Sequence, residues 1–351
     1  VNYDRTNVLS VQLRDTMLRR LTRTELFNRL QITRTLEPVV DQAYKLSETK
    51  ILREQLDDDP HGHLWHVSFH GSQFPGDNPM ACARQALYRM MDFPPAEPMP
   101  RHLRQTATQG KAIESDLVMA FRNSGFLLSS DDPDKQTGFE LPEAWLTSSV
   151  DMVIKPPDWN KPLVIECKQR KAEVVQAMQL GKRGPYPEHV SQIKVQIAFV
   201  FLYQETGLWL ADLDRITHGM IYYISRDDPM QTAEYRVDLD LSFFQAGVEM
   251  LKRWRTYFEE DLLPELNPGK RSSIFGHPNG WRWSKTPCQY CAFKKTCQLD
   301  FREGVTQLSN SVGIERAKLV RPDYDAESAR LRVRARWQRK KSEPQEEMAN
   351  G

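Results

Sequence analysis

The sequence predicts an α/β fold, a β-sheet covered by amphipathic helices. Two short stretches, 149–154 (SVDMVI) and 163–168 (LVIECK), are apolar, rich in β-branched residues and alternating, as strands are. Longer stretches on either side repeat their apolar residues at helical spacing. The composition allows a substantial core: 351 residues are 40% hydrophobic, with 8 Trp, 11 Tyr and 15 Phe. That length suits one large domain with extensions, or two domains.

Each element follows in order. Residues 1–60 read as a charged helical extension, in which Met17, Leu18, Leu21, Leu26 and Leu30 fall near helical spacing; Asp57-Asp58-Asp59-Pro60 breaks it. Segment 93–100 (FPPAEPMP) is too proline-rich for regular structure. A helix is expected over 108–123, closed by Gly125. The strands 149–154 and 163–168, joined by the turn-rich KPPDWNKP, pair as a hairpin. Residues 189–205 form a helix with Val190, Ile193, Ile197 and Phe201 on one stripe. Further strands are expected over 220–225 and 235–239, and a long helix over 241–263. The expected division is an extension over 1–60, a main domain over 61–310 and a basic tail over 311–351.

Charge and hydropathy exclude several classes. With 48 Lys+Arg against 47 Asp+Glu, the formal net charge is +1, so this is no bulk-basic nucleic-acid binder; a DNA-binding surface has to be local. The apolar run 197–203 is far shorter than the roughly 20 residues of a membrane span. The opening VNYDRTNVLS has no apolar signal-peptide core. Five cysteines, three of them within 288–297, point to metal binding in a reducing cytoplasm rather than a disulfide framework. No GxxxxGK[ST] phosphate loop is present.

The most informative pattern is Asp151 followed by Glu166-Cys167-Lys168. Alternation along a strand puts Glu166 and Lys168 on one face and Cys167 on the other, with Asp151 on the neighbouring strand. A charged pair on an otherwise apolar strand needs a reason to be there. Paired carboxylates repel unless a divalent cation with oxygen ligands joins them. A lysine beside it can position a water and stabilise developing negative charge, which equips the site for phosphodiester hydrolysis. Glu114, on the preceding helix, is a candidate third carboxylate. Gln192 and Gln196 share a face of the following helix; a glutamine there can face a phosphate or a metal-bound water, and Gln196 reads as an ordinary helix position.

Cys288-x2-Cys291-x5-Cys297 lacks a fourth ligand, for which Cys82 is the candidate; Cys167 points away from the carboxylates into the core. Such a set suits tetrahedral zinc or an iron–sulfur cluster. Either would clasp two ends of the main domain.

Taken together, Cys82, Gly110 to Glu114, Asp151, Glu166-Cys167-Lys168, His189-x-x-Gln192 and PCQYCAFKKTC resemble the iron–sulfur exonucleases of the PD-(D/E)XK superfamily, over about residues 82–301. The CRISPR-associated exonuclease, the RecB/AddB nuclease domains and stand-alone bacteriophage enzymes are the nearest groups. The resemblance implies a restriction-endonuclease-like core with a mixed central sheet, and Mg2+- or Mn2+-dependent cleavage of DNA, usually from ends, in phage or prokaryotic DNA recombination, replication or processing. It implies Asp151, Glu166, Glu114 and the backbone carbonyl of Cys167 as metal ligands, Lys168 as the catalytic lysine and Gln192 as the helix glutamine. Many relatives carry histidine where this chain has Glu114; a carboxylate still suits a hard cation. It implies Cys82, Cys288, Cys291 and Cys297 as ligands of a 4Fe–4S cluster, with zinc the alternative. The expected partners are DNA, linear or end-containing, and replication or recombination proteins, in the cytoplasm of the bacterial host. A non-catalytic DNA-end-binding subunit and a site-specific endonuclease are the rival readings.

Three features stand outside this reading. His61, His63, His66 and His70 read as a solvent-facing loop entering a strand. Trp281 and Trp283 serve either base stacking or core packing. The run 328–342 carries seven basic residues and no acidic one, and suits phosphate contact or a solvated tail.

Overall fold

The computed structural model describes residues 69–71, 74–75, 78, 81–91, 93, 101–129, 136–156, 159, 161–264, 288, 291–320 and 325. The helical extension, His61, His63 and His66, Trp281, Trp283 and the run 328–342 lie outside them, as does most of segment 93–100; the first part of the expected tail is instead a helix, Val312–Val320, whose Ile314 and Ala317 are buried in the core. Among the described residues the architecture is mixed α/β, in this order: β1 (Phe69–His70), α1 (Ala83–Met90), α2 (Arg101–Asn123), β2 (Thr137–Leu141), β3 (Leu146–Val150), β4 (Met152–Ile154), β5 (Leu163–Arg170), α3 (Ala172–Gln179), α4 (Pro187–Glu205), β6 (His218–Ser225), β7 (Thr232–Asp238), α5 (Leu241–Glu259), α6 (Lys294–Arg302) and α7 (Val312–Val320). No helix among them is long and apolar enough to cross a membrane.

Helix α2 begins seven residues before the expected Thr108 and ends where expected. Gly125 takes φ +72°, so its N–H bonds the carbonyl of Arg122 and that of Phe126 bonds Phe121. This paired closure is available to glycine at low cost. The hairpin also forms: β4 pairs antiparallel with β5, Met152 opposite Ile165 and Ile154 opposite Leu163.

The strand expected over 149–154 is interrupted at Asp151. Residues 146–150 belong to one sheet, ordered β1-β3-β2, and residues 152–154 to a second, ordered β4-β5-β6-β7. The reason is local. The Asp151 carboxylate accepts the backbone N–H of Cys167 at 2.9 Å, a side-chain bond at the point where the chain changes sheets. Strands β5 and β6 are parallel, with Glu166 opposite Ile221 and Lys168 opposite Tyr223, so the chain between them must cross over. Helices α3 and α4 make that crossover; α3 has no counterpart among the expected elements.

Side-chain alternation on β5 and β6 divides the core. Leu163, Ile165, Tyr222 and Ile224 pack with Leu117, Val118 and Phe121 of α2. Val164, Ile221 and Tyr223 pack with Ile193, Ile197 and Val200 of α4. Helix α4 is buried on more than the single stripe expected. Ser191, Ile193, Val195, Gln196, Ile197, Phe199 and Val200 are all buried, because α4 lies against strands of both sheets. It also approaches β6 closely. A Cβ at Gly219 would stand 2.9 Å from Ile193 Cδ1, 3.1 Å from Ile197 Cδ1 and 3.0 Å from the Val164 carbonyl. Gly219→Ala should therefore destabilise the fold by about 1–3 kcal/mol, measured by chemical denaturation, with α4 displaced from β5 and β6.

Candidate functional site

The site is built on the face of β5 that looks at α4. Glu166 is fully buried there. Its carboxylate forms an ion pair with Lys168, two residues along the same face, and accepts a hydrogen bond from Gln196 Nε2 at 2.5 Å. The same Nε2 donates to the Ser149 carbonyl at 2.9 Å, so Gln196 ties Glu166 to the end of β3. The fully buried Gln196 Oε1 accepts nothing among the described residues.

Asp151 reaches the site from the bend between β3 and β4, and Glu114 from α2. Gln136 joins them: its Nε2 donates to Glu114 Oε1 at 2.5 Å and to Asp151 Oδ1 at 3.3 Å, while its Oε1 accepts from Ser149 Oγ at 2.7 Å. The structure thus gathers Glu114, Asp151, Glu166 and Lys168, the residues the sequence singled out. The Cys167 thiol lies on the opposite face, packed toward the α2 side of the sheet, as alternation requires.

Burial and mutual repulsion set the electrostatics. Burial and the nearby Glu166 push the Asp151 carboxyl well above the usual carboxylate range. Burial raises Glu114 also, opposed by the Gln136 hydrogen bond. Burial alone would lower the Lys168 ammonium pKa, but Glu166 and Asp151 outweigh it and the net shift is upward. Lys168 is therefore a cation near neutral pH, 23% exposed in its side chain. It donates hydrogen bonds and cannot serve as a base in that form.

Two glutamines enter this site that sequence reasoning did not place. Gln196, read as an ordinary helix position, is the one bonded to Glu166. The Gln192 side chain makes no hydrogen bond to any described residue. The register explains both. Helix α4 runs antiparallel to β5, so four helical residues, about 6 Å, match two strand residues, about 6.6 Å. Gln196 stands level with Glu166 and His189 with Arg170, and Gln192 falls in the interval between those two contacts. Gln136 precedes β2 in an unpatterned segment, and nothing in the sequence marks it.

His189 is buried, with Arg170 Nη2 at 2.8 Å from its Nε2 and the Tyr223 hydroxyl at 2.8 Å from its Nδ1. Guanidinium only donates, so Nε2 accepts and the Nδ1 proton goes to Tyr223. Burial, Lys168 and Arg170 lower its pKa to about 2, so His189 is neutral and fixes Arg170 rather than exchanging protons.

No group of three or more His, Cys, Asp or Glu side chains among the described residues is arranged to hold a metal ion. The chemistry of the donor sets still fits. Three carboxylates, Glu166 buried and Glu114 and Asp151 half-buried, gather beside an acceptor of Gln196 that lacks a donor, and a hydrated hard cation would relieve both. Away from the β5 residues, Cys82 and Cys288 act electrostatically on both Cys291 and Cys297. Burial raises those two thiols to about 12, opposed at Cys297 by Arg84. Buried Arg84 donates to Cys297 Sγ at 3.9 Å and to the Pro264 carbonyl at 2.6 Å. A buried guanidinium facing thiols favours their anionic, metal-binding form. The same ends of the domain are tied independently by the Tyr88 hydroxyl, which donates to buried Asp300 at 2.6 Å.

No protein-family model matches the chain, and no curated protein does. Among solved structures it is similar to an alkaline exonuclease, LHK-Exo, from Laribacter hongkongensis, at 12% identity and a TM-score of 0.38, covering 56% of this chain and 90% of that one. The LHK-Exo complex with dAMP matches at 13% identity and the same score. The structure of SSO0001 matches at 16% identity and a TM-score of 0.35, covering 60% of this chain and 81% of that one. These likenesses are distant.

The raised Asp151 pKa has a measurable consequence. A carboxyl harder to ionise when folded than when unfolded loses stability as pH rises above its unfolded value, about 3.9. Asp151→Asn should raise the Tm of the EDTA-treated protein at pH 7, with the gain shrinking toward pH 4. It should also diminish the rise in Tm that millimolar Mg2+ or Mn2+ gives the unsubstituted protein.

Proposed function

We propose that the protein is a metal-dependent deoxyribonuclease that hydrolyses phosphodiester bonds from DNA ends. The observation that carries this reading is the gathering of Glu114, Asp151 and Glu166 with Lys168 around a central strand. Asp151, Glu166, Glu114 and the Cys167 carbonyl would hold Mg2+ or Mn2+. The cation supplies Lewis acidity to a phosphoryl oxygen and a nucleophilic water. Lys168, held protonated by its carboxylate neighbours, stabilises negative charge developing on the phosphoryl group and orients the water. Gln192, one helical turn before Gln196, offers an amide to the substrate phosphate. Gln196 and Gln136 act one step back, fixing Glu166, Glu114 and Asp151.

Cys82, Cys288, Cys291 and Cys297 would hold a 4Fe–4S cluster, with zinc the alternative, as a structural clasp. Work on DNA ends in phage or prokaryotic recombination, replication or processing, in the host cytoplasm and beside replication or recombination proteins, fits this activity.

Digestion of 5′- and 3′-labelled linear DNA alongside circular DNA tests the reading. Loss of labelled ends with circles intact supports an exonuclease. Cut circles identify an endonuclease, and binding without cleavage identifies an end-binding subunit. Lys168→Ala should lose at least ~100-fold in rate while still binding DNA; activity equal to the unsubstituted protein overturns the mechanism. Anaerobically purified protein should be brown, and Cys297→Ser should lose iron and unfold at lower temperature. A colourless protein with stoichiometric zinc replaces the cluster with a zinc clasp.

A further inference from the structure

A second cluster lies beyond the carboxylates, on the same face of β5. Alternation puts Glu166, Lys168 and Arg170 on one side of the strand. At about 3.3 Å per residue, Arg170 stands about 13 Å from Glu166 along the strand. Its guanidinium lies 4.6 Å from the centroid of the Tyr186 ring, and that of Arg183 lies 4.4 Å from the same centroid. Two like charges thus share one aromatic ring. Neither has a carboxylate within 4.0 Å among the described residues.

Both arginines are held in place. Arg170 spends one Nη2 proton on neutral His189 and one Nη1 proton on the Gln169 carbonyl at 2.8 Å. That leaves three of its five N–H donors. Arg183 is exposed, but its backbone is anchored: Tyr235 donates its hydroxyl proton to the Arg183 carbonyl at 2.7 Å. Gly181, at φ +66°, closes α3 two residues earlier, with Lys182 N–H bonded to Ala177. Tyr186 then caps α4, whose first turn adds the positive end of a helix dipole. Glu188, half-buried in that turn, is the acidic residue nearest in sequence to Arg183, and Glu173 the one nearest to Arg170; neither forms an ion pair with either arginine among the described residues.

We infer that Arg170 and Arg183, spaced by Tyr186, form a phosphate-binding site for the DNA strand that passes through the carboxylate centre, a few nucleotides from the bond that is cut. Guanidinium forks match phosphate oxygens in pairs. Anchoring both arginines before binding lowers the entropy lost on contact. The inference rests on the nuclease reading for its substrate, and on the arginine–tyrosine geometry for its place.

The test measures binding of a fluorescent single-stranded oligonucleotide across a salt series, with EDTA present to prevent cleavage. Arg183→Ala, at an exposed position, should weaken binding about fivefold to tenfold, and flatten the dependence of log Kd on log salt by about 0.7. Arg183→Lys should restore that slope. A neutral methylphosphonate, moved one linkage at a time, should weaken binding by the parent protein at one position away from the cut site and leave Arg183→Ala unaffected there. Salt response and methylphosphonate profile identical to the parent overturn the site. If the parent cleaves DNA and Arg183→Ala binds normally, the site falls and the nuclease reading stands. If the parent shows the Arg183-dependent signature and cleaves nothing, the nuclease reading falls and the site stands. A parent that binds no DNA overturns both.

Discussion

Glu166 is buried on a central strand, where an ionised carboxylate needs counter-charge and hydrogen-bond donors on every accessible side. An unpaired buried charge costs several kcal/mol, and breaking a buried pair costs about 3–5 kcal/mol. The surroundings follow from that requirement. Lys168 supplies the charge from the same strand face. Gln196 supplies a donor from a helix pressed against the strand, and that pressing needs Gly219 to have no side chain. Asp151 cannot continue its strand and also bond the Cys167 N–H, so the chain bends and starts a second sheet.

Several of these features were legible in the sequence because they depend on local period or on residue chemistry. The β4–β5 hairpin, the glycine closing α2, and the shared side of Glu166 and Lys168 all follow from alternation and spacing. Other features depend on how elements meet. A glutamine at one helical position looks like a glutamine four residues on; only the register of α4 against β5 decides that it is Gln196 that touches Glu166. Helix α3 is short, and its role in the crossover appears only once β5 and β6 are known to be parallel. Gln136 lies in a segment without period. Arg170 and Arg183 are thirteen positions apart and meet only because a turn folds back on Tyr186.

The thiols and the carboxylates are organised on different physical terms. The carboxylates are positioned by amides: Gln136 bridges Glu114 and Asp151, and Gln196 ties Glu166 to the Ser149 carbonyl. The thiols are gathered beside Arg84, and the ends of the domain that carry them are also joined by Tyr88 and Asp300. A metal clasp there would reinforce a closure the protein already makes with hydrogen bonds, so the carboxylate site and the thiol site need not be assembled together.

The matched register of α4 and β5 behaves like meshed gear teeth. One tooth is Gln196 on Glu166 and another is His189 on Arg170, with Gln192 and Lys168 between them. Inserting one residue inside α4 would turn everything beyond it by about 100°, disengaging the teeth on one side of the insertion from those on the other. The connections outside the helix can change length without that disruption, and substitutions along the two facing rows act as members of one mechanical unit rather than as independent changes.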